Sequence, residues 1–150
     1  MLSVLDEKLI KLNLNCKTKE EVISILGKLM KQEGYVKDSY VDAVLKREQI
    51  HPTGIPSKGI AVAIPHTDSE HVNQSAIAIG VLNNPVEFKQ MGAPEISLYP
   101  QLIMMLAIDD PKKQVDLLKS LMDIFQNEEL LIKIKNAKEK HEILNLLNFL

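Results

Sequence analysis

An α/β fold is predicted for this chain: one domain spanning residues 1–150, an α/β sandwich whose mixed β-sheet is flanked by helices on both faces. Two observations carry the prediction. Apolar residues recur at helical spacing near both ends of the sequence, and short runs rich in β-branched residues fill the middle. Helices before and after a block of buried strands need a sheet covered on each face. A chain of 150 residues suits one such core, burying roughly two-thirds of the surface its unfolded form exposes. No linker, low-complexity tail or internal repeat divides it.

Taken in order, residues 10–14 alternate apolar and polar, the period of a half-buried strand. Thr18 and Glu21 form a T-x-x-E capping box. Val22, Ile25, Leu26, Leu29 and Met30 follow at helical spacing, and Gly34 is the stop. A second helix starts near Asp38 or Ser39 and carries Val41, Val44 and Leu45 to about Arg47. The stretch HPTGIPSKG is turn chemistry. Residues 60–64 read as a short buried strand that Pro65 ends. Further strands are expected at residues 75–82, near 86–88, and at 102–108. After Asp109-Asp110-Pro111 the helical period returns, with Val115, Leu118, Leu121, Met122 and Phe125 as its apolar stripe. A short helix with Leu130, Leu131 and Ile134, and a last one with Ile143, Leu144 and Leu147, complete the chain.

Composition excludes several functions. Hydrophobic residues make up 45% and charged residues 25%, and the net charge of −2 gives no broad electrostatic footprint for nucleic acid. The single cysteine, Cys16, allows no intrachain disulfide and fits a reducing compartment. The opening MLSVLDEKLIKLNL carries charges through its apolar positions and has no signal-peptide h-region. Uncharged apolar runs fall short of the ~20 residues of a membrane span. The expectation is a soluble cytoplasmic protein with no nucleic-acid partner and no membrane insertion.

The segment Ile60-Ala61-Val62-Ala63-Ile64-Pro65-His66-Thr67-Asp68 stands out. A buried strand stops at Pro65 and a histidine follows at once, on the kind of rigid platform that holds a side chain at a sheet's rim. A neutral imidazole is a nucleophile near pH 7 and can take and release a phosphoryl group without a cofactor. A lone histidine at a strand end is more often a surface or satisfied polar residue, so position alone does not decide.

Three segments together resemble one family. GIAVAIPHTD is similar to the active-site segment of the fructose/mannitol (type-2) EIIA family of the sugar phosphotransferase system, where an apolar strand runs into a Pro-His pair. Leu45-Lys46-Arg47-Glu48 closing a helix before His51-Pro52-Thr53-Gly54 agrees with it. So does the C-terminal half, with an apolar strand, an acidic break, LLKSLMDIFQNEELL and HEILNLL. PTGIPSKGIAVAIPHTD looks closest to the galactitol-type subgroup. The resemblance implies the type-2 EIIA fold and a phosphocarrier that accepts a phosphoryl group on His66 from phospho-HPr. It would pass that group to the cysteine of an EIIB subunit, feeding a membrane EIIC indirectly. The family's active-site arginine falls on Arg47. A second histidine present in many members falls on Gln114, which can donate a hydrogen bond but shuttles no proton. The resemblance further suggests attack by Nε2, with Nδ1–H held by a backbone carbonyl.

A phosphoryl group in flight needs in-line attack and electrostatic stabilisation. Arg47 can supply a forked cation, and backbone N–H groups near Thr67 and Asp68 neutral donors. Asp68 itself reads as a cap or as the orienter of a ring nitrogen. No metal, nucleotide or other cofactor is required. His66, Asp68, Glu70 and His71 are close in sequence, but H-x-D-x-E-H matches no zinc pattern. His51 and His141 read as solvated, with His51 the nearer to the site, and Cys16 as a small packing residue. A regulatory module phosphorylated on His66, signalling to a protein target, is the alternative function. A metal-dependent or purely structural use of the fold is the third.

Overall fold

Along β7 (Leu102–Ala107) every side chain is buried, and neighbours face opposite ways. Ile103, Met105 and Ala107 join one apolar core, and Leu102, Met104 and Leu106 join another. β4 (Ala76–Leu82) runs antiparallel to β7 and divides the same way, with Ala76 and Ala78 on the first side and Ile77, Ile79 and Val81 on the second. This period-two split is why the sheet needs helices on both faces. α1 (Lys19–Gln32) and α2 (Tyr40–Ile50) close the first core. α3 (Pro111–Phe125), α4 (Glu128–Lys135) and α5 (Lys140–Leu146) close the second.

The structure is a computed structural model that describes residues 4–57 and 59–150. Among them seven strands form one mixed sheet in the order β1-β4-β7-β3-β2-β5-β6. The remaining strands are β1 (Ile10–Leu14), β2 (Gly54–Ile55), β3 (Val62–Ala63), β5 (Phe88–Gln90) and β6 (Ala93–Leu98). β1/β4 and β4/β7 pair parallel and antiparallel, β7/β3 and β3/β2 likewise, and so do β2/β5 and β5/β6. No helix is long and apolar enough to cross a membrane among the described residues.

Local chemistry sets the helix ends. Thr18 Oγ1 accepts from the Glu21 N–H at 3.2 Å, one half of the expected capping box. Gly34 takes φ +84° just past α1, a conformation that glycine adopts without steric cost. Asp110 accepts from the Lys112 N–H at 2.9 Å, with Pro111 in the first turn of α3.

Several expectations need correction, and most of them lie around the site. α2 continues one turn beyond Arg47 to Ile50. HPTGIPSKG is not all turn, because it contains β2. The strand at residues 60–64 shrinks to Val62–Ala63, and β2 pairs with it over the same two residues. The strand near 86–88 is β5, and it forms a hairpin with β6, which the sequence reading missed. On α1, Ile23 is buried and Ile25 is exposed. On α3, Val115 is 57% exposed and the buried side chains are Leu121, Ile124 and Phe125. The buried side chains of α3 all lie in its C-terminal half, and Gln114, Leu118 and Met122 line an open cavity.

Gly54 fixes where β2 and β5 meet. A Cβ there would lie 2.7 Å from the Lys89 carbonyl oxygen, a backbone atom that cannot step aside cheaply. Gly54→Ala is expected to destabilise the fold by about 1–3 kcal/mol, the usual cost of overpacking. A urea titration checks this as a lower midpoint with an unchanged slope.

Candidate functional site

The site forms where β3 runs out. Its last rungs are uneven. The Ile64 N–H still donates to the Thr53 carbonyl at 3.2 Å, and the Pro65 carbonyl still accepts from the Leu106 N–H of β7 at 3.0 Å. Pro65 has no N–H of its own, and the chain leaves the sheet. The Ile64 carbonyl sits 2.7 Å from Nδ1 of His66. A carbonyl oxygen only accepts, so Nδ1 carries the proton and Nε2 keeps the ring's lone pair. Nε2 makes no hydrogen bond among the described residues.

Burial decides the ring's charge. His66 is only 6% exposed, and desolvation pulls its pKa below the ordinary value of 6.5. The Ile64 hydrogen bond opposes this shift, the Arg47 cation adds to it, and Asp68 opposes it weakly. The ring is therefore neutral at pH 7.

His66 lines a cavity of about 540 Å³. Arg47 and Ile50 of α2 and His51 and Pro52 of the following loop form one wall. Gln114, Leu118 and Met122 of α3 form the opposite one. Met91, Gly92 and Pro94 of the β5–β6 hairpin close a third side. The Arg47 guanidinium makes no ion pair among the described residues. Ile50, 70% exposed, and the exposed Met91 give the mouth an apolar rim. The arrangement offers a neutral nucleophile, one uncompensated cation and one amide facing a shared space.

Of the residues expected at the site, the structure brings together His66, Arg47 and Gln114 and leaves Thr67 and Asp68 outside the cavity wall. Asp68 stands at the start of a 3-10 turn (Ser69–His71) without a capping bond. It does not orient the ring either, because the Ile64 carbonyl holds Nδ1. His51, read as solvated, is exposed but lines the cavity. His71 is turned elsewhere, its Nδ1 2.7 Å from Ser39 Oγ. Among the described residues no group of three or more His, Cys, Asp or Glu could hold a metal ion. Cys16 packs partly buried against the α1–α2 core. The hairpin wall was missed, although Met91-Gly92 carries its signal as a two-residue turn with Gly92 at φ +75°.

Residues 3–149 match the family described as Phosphoenolpyruvate-dependent sugar phosphotransferase system, EIIA 2, and the chain belongs to that family. It is 31% identical over 112 residues to the galactitol-specific EIIA component of Escherichia coli (strain K12), covering 75% of this chain and 74% of that protein. It is 26% identical over 150 residues to the mannitol-specific IIA component of Bacillus subtilis (strain 168), covering 98% of each. Among solved structures, the complex of mannitol enzyme IIA with phosphorylated enzyme IIB from Escherichia coli matches with a TM-score of 0.78 and 24% identity, over 97% of this chain and 99% of that one.

The depressed pKa of His66 predicts a titration midpoint below 6.5, read by NMR of the ring protons. The unfolded chain binds this proton in the ordinary histidine range while the native ring resists it. Stability tied to His66 is therefore fully present above about pH 6.5 and lost as pH falls through the native value. A midpoint at or above 6.5 would contradict the desolvated ring.

Proposed function

We propose that this protein is a cytoplasmic phosphocarrier of sugar uptake that takes a phosphoryl group on Nε2 of His66 from phospho-HPr and passes it to the cysteine of an EIIB. The observation that carries the reading is the fixed neutral ring of His66, with its free nitrogen in an open cavity shared with an unpaired arginine. The Nε2 lone pair forms the new N–P bond as the donor's N–P bond breaks. Positive charge then develops on the ring, and the Ile64 carbonyl, accepting from Nδ1–H, stabilises it. Arg47 meets the phosphoryl oxygens as a fork, and Gln114 donates one neutral hydrogen bond. The apolar rim suits partners that must dock and leave in turn.

Transport is favoured over regulation because both relatives compared above are named for a sugar alcohol. The EIIB assignment is supported by the solved relative with this fold, whose partner in its complex is a phosphorylated enzyme IIB. Galactitol is the substrate in the name of the relative at 31% identity, and the reading takes it as the sugar to test first.

Incubation with enzyme I, HPr and phosphoenolpyruvate should add one acid-labile phosphoryl group, seen by intact mass, and His66→Ala should abolish it. Normal labelling of His66→Ala would refute the assignment. Arg47→Ala should slow transfer by about 30- to 1000-fold, the effect of losing ~2–4 kcal/mol of transition-state stabilisation, and Arg47→Lys should restore only part. Gln114→His should be tolerated. Gln114→Glu should impair labelling by setting a carboxylate against the incoming charge, and an unchanged rate at matched stability would remove Gln114 from the site.

A further inference from the structure

Glu48 follows Arg47 on α2 but points into the protein, and it is only 4% exposed. Both of its carboxylate oxygens are taken by one residue. The Thr53 N–H donates to Oε2 at 2.8 Å and the Thr53 hydroxyl to Oε1 at 2.6 Å. Burial pushes the carboxyl's pKa up, and these two donors pull it back.

The β2–β3 register makes this diversion matter. Gly54 faces Ala63 and Ile55 faces Val62, so Thr53 faces Ile64. In an antiparallel ladder a hydrogen-bonded pair exchanges two bonds, each N–H donating to the opposite carbonyl. Thr53 and Ile64 make only one of them: the Ile64 N–H donates to the Thr53 carbonyl. The reciprocal donor, the Thr53 N–H, goes to Glu48. The Ile64 carbonyl, relieved of its ladder donor, accepts from Nδ1–H of His66 instead.

We infer that Glu48 is a positioning residue for His66: by capturing the Thr53 N–H it frees the Ile64 carbonyl, which sets the tautomer and angle of the His66 ring. Its consequence for phosphoryl transfer rests on the function proposed above; its consequence for the tautomer does not. The geometry orders the variants. Glu48→Gln keeps both partners, since its carbonyl takes the Thr53 N–H and its amide donates to the Thr53 hydroxyl. Thr53→Val removes the hydroxyl and keeps the N–H on Glu48. Glu48→Met fills the space but accepts nothing of strength, so the Thr53 N–H returns to the Ile64 carbonyl and competes with His66.

The test is the ¹⁵N spectrum of the His66 ring above its titration range, with transfer from phospho-HPr measured beside it. The parent protein, Glu48→Gln and Thr53→Val should show one tautomer, protonated on Nδ1. Glu48→Met should show a mixture or the Nε2–H form, and transfer should slow by about 10- to 100-fold, as when groups that orient a ligating imidazole are removed. Should Glu48→Met not fold, Glu48→Asp, one methylene short of Thr53, should show the same loss in part. A folded Glu48→Met or Glu48→Asp protein that keeps the pure Nδ1–H form would overturn the inference, even with the parent transferring normally. A parent that fails to accept phosphoryl while the tautomer still follows Glu48 would overturn the proposed function and leave this inference standing.

Discussion

The hydrogen bond from His66 Nδ1–H to the Ile64 carbonyl requires a strand that stops at the right atom, and much of the fold serves that requirement. By the β2–β3 register, Pro52 lies opposite Pro65. That pair is the non-hydrogen-bonded position next to Thr53–Ile64 and forms no rung whatever its residues, so the Ile64 N–H to Thr53 carbonyl bond is the last one between the two strands among the described residues. β7 nevertheless still grips Pro65 through the Leu106 N–H, which keeps the strand end from fraying. The histidine thus projects from a backbone held on one side and open on the other. The even-numbered residues Val62 and Ile64 belong to the core under α3, which is why the cavity beside His66 is walled by α3.

The electrostatics follow from where the two charged neighbours stand. Arg47 is half-buried and without an anionic partner among the described residues, while Glu48 beside it is spent on Thr53. An arginine paired with a carboxylate would have little to offer an incoming anion. Adjacent helix positions point about 100° apart. The Arg47-Glu48 pair therefore sends its cation into the cavity and its anion into the loop that supports it. A neutral, desolvated imidazole completes a site with net positive character and no carboxylate in its wall among the described residues.

Much of this was legible in the chain. Strands β1, β4 and β7 and the helices were readable because each is long enough to show its period, and Pro65-His66 marked the site because a strand and its terminator are contiguous. What escaped was short or depended on distant partners. β2 and β3 pair over only two residues each, below the length at which alternation can be seen. β6 holds Pro94, Glu95 and Ile96, a poor strand by composition, and exists because β5 lies beside it. The phase of α3 was misread at Val115 because an apolar side chain at helical spacing need not be buried in a helix whose buried side chains all lie in its C-terminal half. Asp68 seemed placed to orient the ring by proximity in sequence, yet a carbonyl two residues back holds it.

The hairpin wall has a consequence for how other proteins can meet this one. β6 is an outer strand of the sheet, and such strands offer unpaired backbone groups to any extended chain. Here the pairing jumps from Gln90–Ala93 to Lys89–Ser97, so Pro94, Glu95 and Ile96 bulge out of register. A missing N–H, a charge and a bulge together spoil the edge beside the cavity's mouth. A visitor to the cavity cannot extend the sheet there. It must engage side chains, and contacts of that kind can be released as readily as they form.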